Sequence, residues 1–212
     1  MRMRKKPNLI PRMQRCAALH VLAPEEERGH WLGRMPAARA LHVELGCGKG
    51  RFTAEMAAVH PDVLFVAVER VPEAMVVAME RCLAAELTNV LFVVGDAACL
   101  PDFFAPGEVD RLYVNFCDPW PSKRHAKRRL TNRAFLSAYR KALRPGAEIH
   151  FKTDNPPLFE YSLEEFPAAG FRTAEITRDL HAAGPVGVMT DYEAKFYAEG
   201  VPICRCVAVL EE

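Results

Sequence analysis

Short, almost purely apolar runs alternate with helix-patterned segments along this chain, and that alternation restricts its fold more than any other feature. Residues 41–45, 63–68, 90–94, 112–116 and 148–153 read as strands. The run at 63–68 has no polar alternation, as expected for a strand covered on both faces and paired in parallel. Between the strands, 51–59, 72–87 and 132–143 carry helical spacing. Pro72 suits a first turn, and Pro145-Gly146 stops the third helix. Pro156-Pro157 opens a further helix. Two late strands, 171–176 and 203–209, are expected to be joined by a Gly-rich loop without a clear helix. β and α segments in turn predict a doubly wound α/β fold, with a mostly parallel sheet of about seven strands and helices on both faces.

A chain of 212 residues, 50% hydrophobic and 26% charged, is long enough for one globular domain and unlike a disordered or collagenous one. No apolar run approaches the roughly 20 residues of a membrane span. Seven cysteines without a C-x-x-C pair read as reduced thiols rather than a disulfide framework or a metal site. The amino-terminal cations are followed by Pro7, Pro11, Arg12 and Arg15 rather than an apolar core, which argues against a secretory signal and for a cytoplasmic protein. We divide the chain into a basic, mobile arm at 1–36 and a main α/β domain at 37–212.

The net charge of +1 conceals segregation. Residues 1–24 carry Arg2, Arg4, Lys5, Lys6, Arg12 and Arg15 and no acid. Residues 119–147 carry nine bases and no acid. Two basic blocks on an acidic body suit a polyanionic partner met on one face, although a solvated helix face plus a tail gives the same pattern.

Glu44-Leu45-Gly46-Cys47-Gly48-Lys49-Gly50 ends the first strand and opens the first helix. Its glycines permit a tight turn and close approach of backbone to ligand, though a structural turn uses the same letters. Glu69, Asp96 and Asp118 end or follow the next three strands. With Glu44 they place four acids along the edge where open α/β sheets bind ligands. Arg51 stands where a dinucleotide loop needs glycine, and Gly50 where a P-loop needs Ser or Thr. Carboxylates repel phosphate but suit a ligand with ribose hydroxyls, an amino group and a positive sulfonium. S-adenosylmethionine is such a ligand, with Glu69 facing the ribose and Asp96 the adenine. Each acid taken alone also suits a helix cap or a surface charge.

The fourth strand exits through Asn115-Phe116-Cys117-Asp118-Pro119-Trp120-Pro121-Ser122. The prolines stiffen that loop. Trp120 offers a face for a base to stack on, or else packs in the core. Lys123, Arg124, His125, Lys127, Arg128 and Arg129 follow, a run suited to phosphate contacts.

These stretches, with His150-Phe151-Lys152-Thr153-Asp154-Asn155 and Thr190-Asp191-Tyr192-Glu193, resemble the bacterial tRNA (guanine-N7)-methyltransferases, the TrmB family, from about residue 41 onward. The resemblance implies a Rossmann-like class I methyltransferase fold. It implies methyl transfer from S-adenosylmethionine to N7 of a guanosine in the tRNA variable loop. By position, Glu44, Gly46, Gly48, Glu69, Asp96 and Asp118 would hold the cofactor, and Asp118 would be the catalytic residue. Ser122, Asp154, Thr190, Asp191, Tyr192 and Glu193 would meet the guanosine, and the cations from Lys123 to Arg129 the RNA. Ser122 departs from the Lys that many members carry there, so Lys123 or Arg124 would take over that contact. tRNA is then the partner of a monomer or homodimer, with no metal and no membrane. Rival readings are the same cofactor with another RNA base or amine, and a non-catalytic RNA-binding module. A nicotinamide oxidoreductase is disfavoured by Arg51.

Overall fold

The computed structural model describes residues 8–211. Eight strands form one sheet: β1 (His20–Val21), β2 (Ala40–Leu45), β3 (Val63–Glu69), β4 (Val90–Val94), β5 (Val109–Asn115), β6 (Leu143–Thr153), β7 (Phe171–Thr177) and β8 (Cys204–Leu210). Their order is β1-β4-β3-β2-β5-β6-β8-β7. All pairings from β1 to β6 are parallel, and β8 is antiparallel to both of its neighbours. The helices are α1 (Leu9–Arg15), α2 (Arg51–Val59), α3 (Pro72–Ala84), the single turn α4 (Leu100–Phe103), α5 (Arg133–Ala142), α6 (Pro156–Ala168) and α7 (Asp191–Ala198).

The period-2 geometry of β3 shows why its letters are all apolar. Val63, Phe65 and Ala67 point into one core with α1 to α3, whereas Leu64, Val66 and Val68 point into the other with α4 to α6. A polar residue on either face would be stranded between sheet and helices.

The strand beyond the expected seven, β1, comes from the segment expected to be a mobile arm. His20 and Val21 pair with Phe92 and Val93 of β4. Trp31 is wholly buried, donates from Nε1 to the Phe103 carbonyl at 2.8 Å and stacks on Phe104. Arg12 grips Glu80 on α3 through both carboxylate oxygens. The described part of the arm, 8–36, is thus docked by apolar burial that its basic composition obscures. Arg2, Arg4, Lys5 and Lys6 lie outside the described residues. Two further corrections follow. The link between β7 and β8 contains the helix α7. The third predicted helix stops at Ala142, because β6 already begins at Leu143 and runs through Pro145-Gly146.

Chain order makes β2 the pivot. β3 and β4 extend from it to one side, and β5 and β6 to the other. The loops leaving β2 and β5 therefore diverge, opening the crevice in which doubly wound sheets bind ligands.

Candidate active site

The strand exits lie side by side. Gly46 N–H donates to the Val68 carbonyl at 2.8 Å, Gly95 N–H to Glu69 at 3.2 Å and Phe116 N–H to Lys152 at 2.9 Å. The rim from β4 to β6 thus carries Asp96, Glu69, Glu44, Asp118 and Asp154 in spatial order. At roughly 4.8 Å per strand it is about 19 Å long.

Glu44 is buried behind the glycine loop. It accepts from Thr53 Oγ1 at 2.5 Å and from Asn115 Nδ2 at 3.1 Å, and burial pushes its carboxyl up to about 7. Asn115 Oδ1, buried beside it, has no hydrogen-bond partner among the described residues. That place is short of donors. Glu69 ties the loop down instead, accepting from Gly48 N–H at 3.0 Å and Val71 N–H at 2.9 Å. Asp96 caps the turn after β4 through Ala98 N–H at 2.9 Å, with Arg70 at 3.7 Å. Asp118 is exposed. Asp118 and Asp154 both act on Cys117, whose thiol burial pushes up to about 12. Cys47 is likewise raised by burial, so neither thiol is a ready nucleophile.

The three loop glycines have left-handed φ and differ in purpose. A Cβ on Gly46 or Gly48 would meet nothing within 4 Å, whereas one on Gly50 would lie 2.4 Å from the Ala78 Cβ. Gly50 lets α2 approach α3, and the other two leave space above the loop.

Thr190 caps α7 by accepting from Glu193 N–H, while Glu193 Oε2 accepts from Thr190 N–H, a reciprocal capping box. The Glu193 carboxylate is entirely buried. It also accepts from Lys152 Nζ at 2.9 and 3.0 Å and lies 3.1 Å from His181 Nε2. Glu193 is therefore a saturated hub inside the protein, where the sequence suggested a carboxylate open to a guanosine. Phe196 of α7 packs on Phe116, two residues before Asp118, and Tyr192 stacks outward on Phe196. Asp191 pairs with Arg81 of α3 at 3.3 Å. The fold thus brings the Thr190-to-Glu193 segment to the Asp118 loop.

Lys123, Arg124, His125, Lys127 and Arg128 lie on an exposed 3-10 helix, Lys123–Arg128, preceded by Ser122, whose side chain makes no capping hydrogen bond. Lys123, Arg124, Lys127 and Arg128 form no ion pair with the described residues. Arg128 covers the Trp120 ring at 4.5 Å and His125 meets its edge, so Trp120 is partly occupied as a stacking platform. Arg129 turns inward, onto the carbonyls of Pro119 and Trp120. Thr53 and His181 lie outside the motifs legible in the sequence, and Asn115 and Lys152 lie inside them with no role of their own. A lysine inside a strand buried on both sides was the available signal for Lys152 and His181.

A family model described as "Putative methyltransferase" matches residues 38–206. A tRNA (guanine-N(7)-)-methyltransferase of Geobacillus thermodenitrificans is 45% identical over 210 residues, covering 99% of this chain and 97% of that protein. The chain belongs to the tRNA (guanine-N(7)-)-methyltransferase family. Another member, from Lactococcus lactis subsp. cremoris strain MG1363, is 41% identical over 211 residues, 98% of this chain and 97% of its own length. Among solved structures, the 16S rRNA methyltransferase KamB superposes with a TM-score of 0.67 at 17% identity, over 87% of this chain and 94% of its own. The 16S rRNA (adenine(1408)-N(1))-methyltransferase of Catenulisporales acidiphilia does so with 0.63 at 18%, over 91% and 95%. At those identities the likeness establishes the Rossmann-like fold shared with these methyltransferases. Among the described residues, no helix is long and apolar enough to cross a membrane.

Proposed function

We propose that this family member transfers a methyl group from S-adenosylmethionine to N7 of a guanosine in the variable loop of tRNA. The observation that carries the reading is an acidic rim at the topological switch point with a cationic ridge beside it, whose Lys123, Arg124, Lys127 and Arg128 form no ion pair with the described residues. The donor-poor pocket floor fits this cofactor. Glu44 and the unpartnered Asn115 Oδ1 call for a ligand N–H, the Gly46–Gly48 backbone leaves room for it, and Glu69 and Asp96 keep lone pairs for hydroxyl and amino groups. A pyrophosphate would be repelled by the carboxylates of this rim. When bound, S-adenosylmethionine supplies an electrophilic methyl group.

Guanine N7 carries an in-plane lone pair and no proton, so no general base is required there. The protein's task is orientation. Positive charge grows on the guanine ring as the bond forms, and a fixed carboxylate favours that state over the neutral base. We assign this role to the exposed Asp118. Asp154 is assigned to the guanine donor edge, which leaves N7 free, and Thr190, Asp191 and Tyr192 to the wall of the same subsite. Ser122 is too short to replace a lysine, and Lys123 or Arg124 would supply that cation. Lys123, Arg124, His125, Lys127 and Arg128 contact phosphates, which position RNA without reading its sequence. Acid inside and base outside is what an extruded nucleotide on a polyanion needs. A tRNA substrate also fits a cytoplasmic setting.

The test is incubation of the protein with unmodified tRNA and methyl-labelled cofactor, followed by nucleoside mapping. Label should appear as N7-methylguanosine in the variable loop. Asp118→Ala should lower turnover at least a hundredfold with tRNA affinity within threefold of the parent. Label on another base, or equal losses in turnover and binding, would refute the assignment.

A further inference from the structure

We propose that Arg129 is a positioning residue for the Asp118 loop, and not one of the cations that meet RNA. The proposal rests on the reading above that Asp118 acts at the reacting guanine. The loop it concerns cannot hold its own shape. Pro119 and Pro121 have no N–H, and residues 118–121 make no backbone–backbone hydrogen bond among the described residues. Trp120 nevertheless sits at φ 41°, a left-handed conformation that a bulky residue adopts only when its surroundings impose it.

Arg129 imposes it. Its Nε donates to the Pro119 carbonyl at 3.0 Å, and its Nη2 donates to the Trp120 carbonyl at 3.0 Å. The guanidinium carbon lies over the Tyr161 ring, 4.3 Å from its centroid. Tyr161 is itself fixed, its hydroxyl accepting from Asn132 Nδ2 at 2.6 Å. Lys127, two residues before Arg129, is exposed. A planar fork spans two adjacent carbonyls while stacking on an aromatic face, and an ammonium cannot do both. A phosphate contact, by contrast, tolerates lysine as a point charge.

Arg129→Lys therefore separates the two roles, since it preserves charge and stem. We expect kcat at saturating tRNA to fall at least tenfold, with KM for tRNA and the salt slope of binding unchanged. Acrylamide quenching of tryptophan emission should rise, and because Trp31 is wholly buried that change belongs to Trp120. Lys127→Ala should behave oppositely, lowering the slope of log K against log salt by about 0.7–0.9 without altering the quenching. Parental kcat in Arg129→Lys, or lost kcat with unchanged quenching, would overturn the proposal. So would a salt slope in Arg129→Ala reduced as in Lys127→Ala. Where Arg129→Ala fails to fold, the lysine variant carries the test. Failure of the underlying functional reading shows separately, as a parent protein that does not methylate tRNA, and the quenching comparison still reports on the brace.

Discussion

Glu44→Gln should make the protein more stable and less able to bind its cofactor. The carboxyl is 3% exposed, and burial lifts its pKa from the ordinary 4.5 to about 7. A folded-state pKa above the unfolded one means that the folded chain holds the proton more tightly. Below about pH 4.5 both states are protonated and the group costs nothing. As pH rises from 4.5 to 7 the unfolded chain ionises first, and native stability falls. Above 7 the cost is complete. A displacement from 4.5 to about 7, at about 1.4 kcal/mol per pH unit, bounds it at about 3–4 kcal/mol. Glutamine is isosteric and neutral. It can still accept from Asn115 and can donate to Thr53 Oγ1, so few contacts are lost. Urea unfolding of both proteins at pH 4.5, 6 and 8 checks the argument. The variant's advantage should be near zero at pH 4.5 and approach about 3–4 kcal/mol at pH 8, while S-adenosylhomocysteine binds at least tenfold more weakly in calorimetric titration. A stability difference independent of pH would refute the buried-charge argument, and unchanged ligand affinity would remove Glu44 from the cofactor site.

Two other perturbations probe the scaffold around the site. Gly50→Ala places a Cβ 2.4 Å from the Ala78 Cβ at a φ of 73°, so overpacking and left-handed strain together should cost about 2–4 kcal/mol, read as a lower thermal midpoint; a midpoint unchanged from the parent would contradict the close approach of α2 to α3. Glu193→Gln leaves the Lys152 ammonium buried without its counter-charge and should destabilise by about 3–5 kcal/mol; the double variant Lys152→Met/Glu193→Leu should recover most of that loss in urea unfolding, and a double variant no better than the single would show that the pair is not the source.

How much of the site the letters disclosed depends on how local each signal is. The glycine loop, the rim acids and the Asp118 motif were legible because each sits at a strand exit, and apolar periodicity alone locates strand exits. The helix α7 was also written in the sequence. Thr190-x-x-Glu193 has the spacing of a capping box, a helix signal that the family resemblance, which implies only ligand contacts for these four residues, does not convey. The docked arm was masked for a different reason. Its sparse apolar anchors, Leu19, Val21 and Trp31, lie among charges and prolines with no regular period.

Sequence by itself determined the strand-and-helix alternation, the parallel sheet and the identity of the acids along its edge, because these follow from patterns a few residues long. Only the tertiary structure decided which polar groups are free and which are spent. Glu193 is consumed by Lys152 and His181, and Arg129 by two carbonyls and a tyrosine ring, while Asp118 and Lys127 remain open to solvent. The partners of Glu193 lie 41 and 12 residues away, and the ring beneath Arg129 lies on another helix. Hydrogen-bond saturation depends on what folding brings within about 3 Å, which no local pattern specifies.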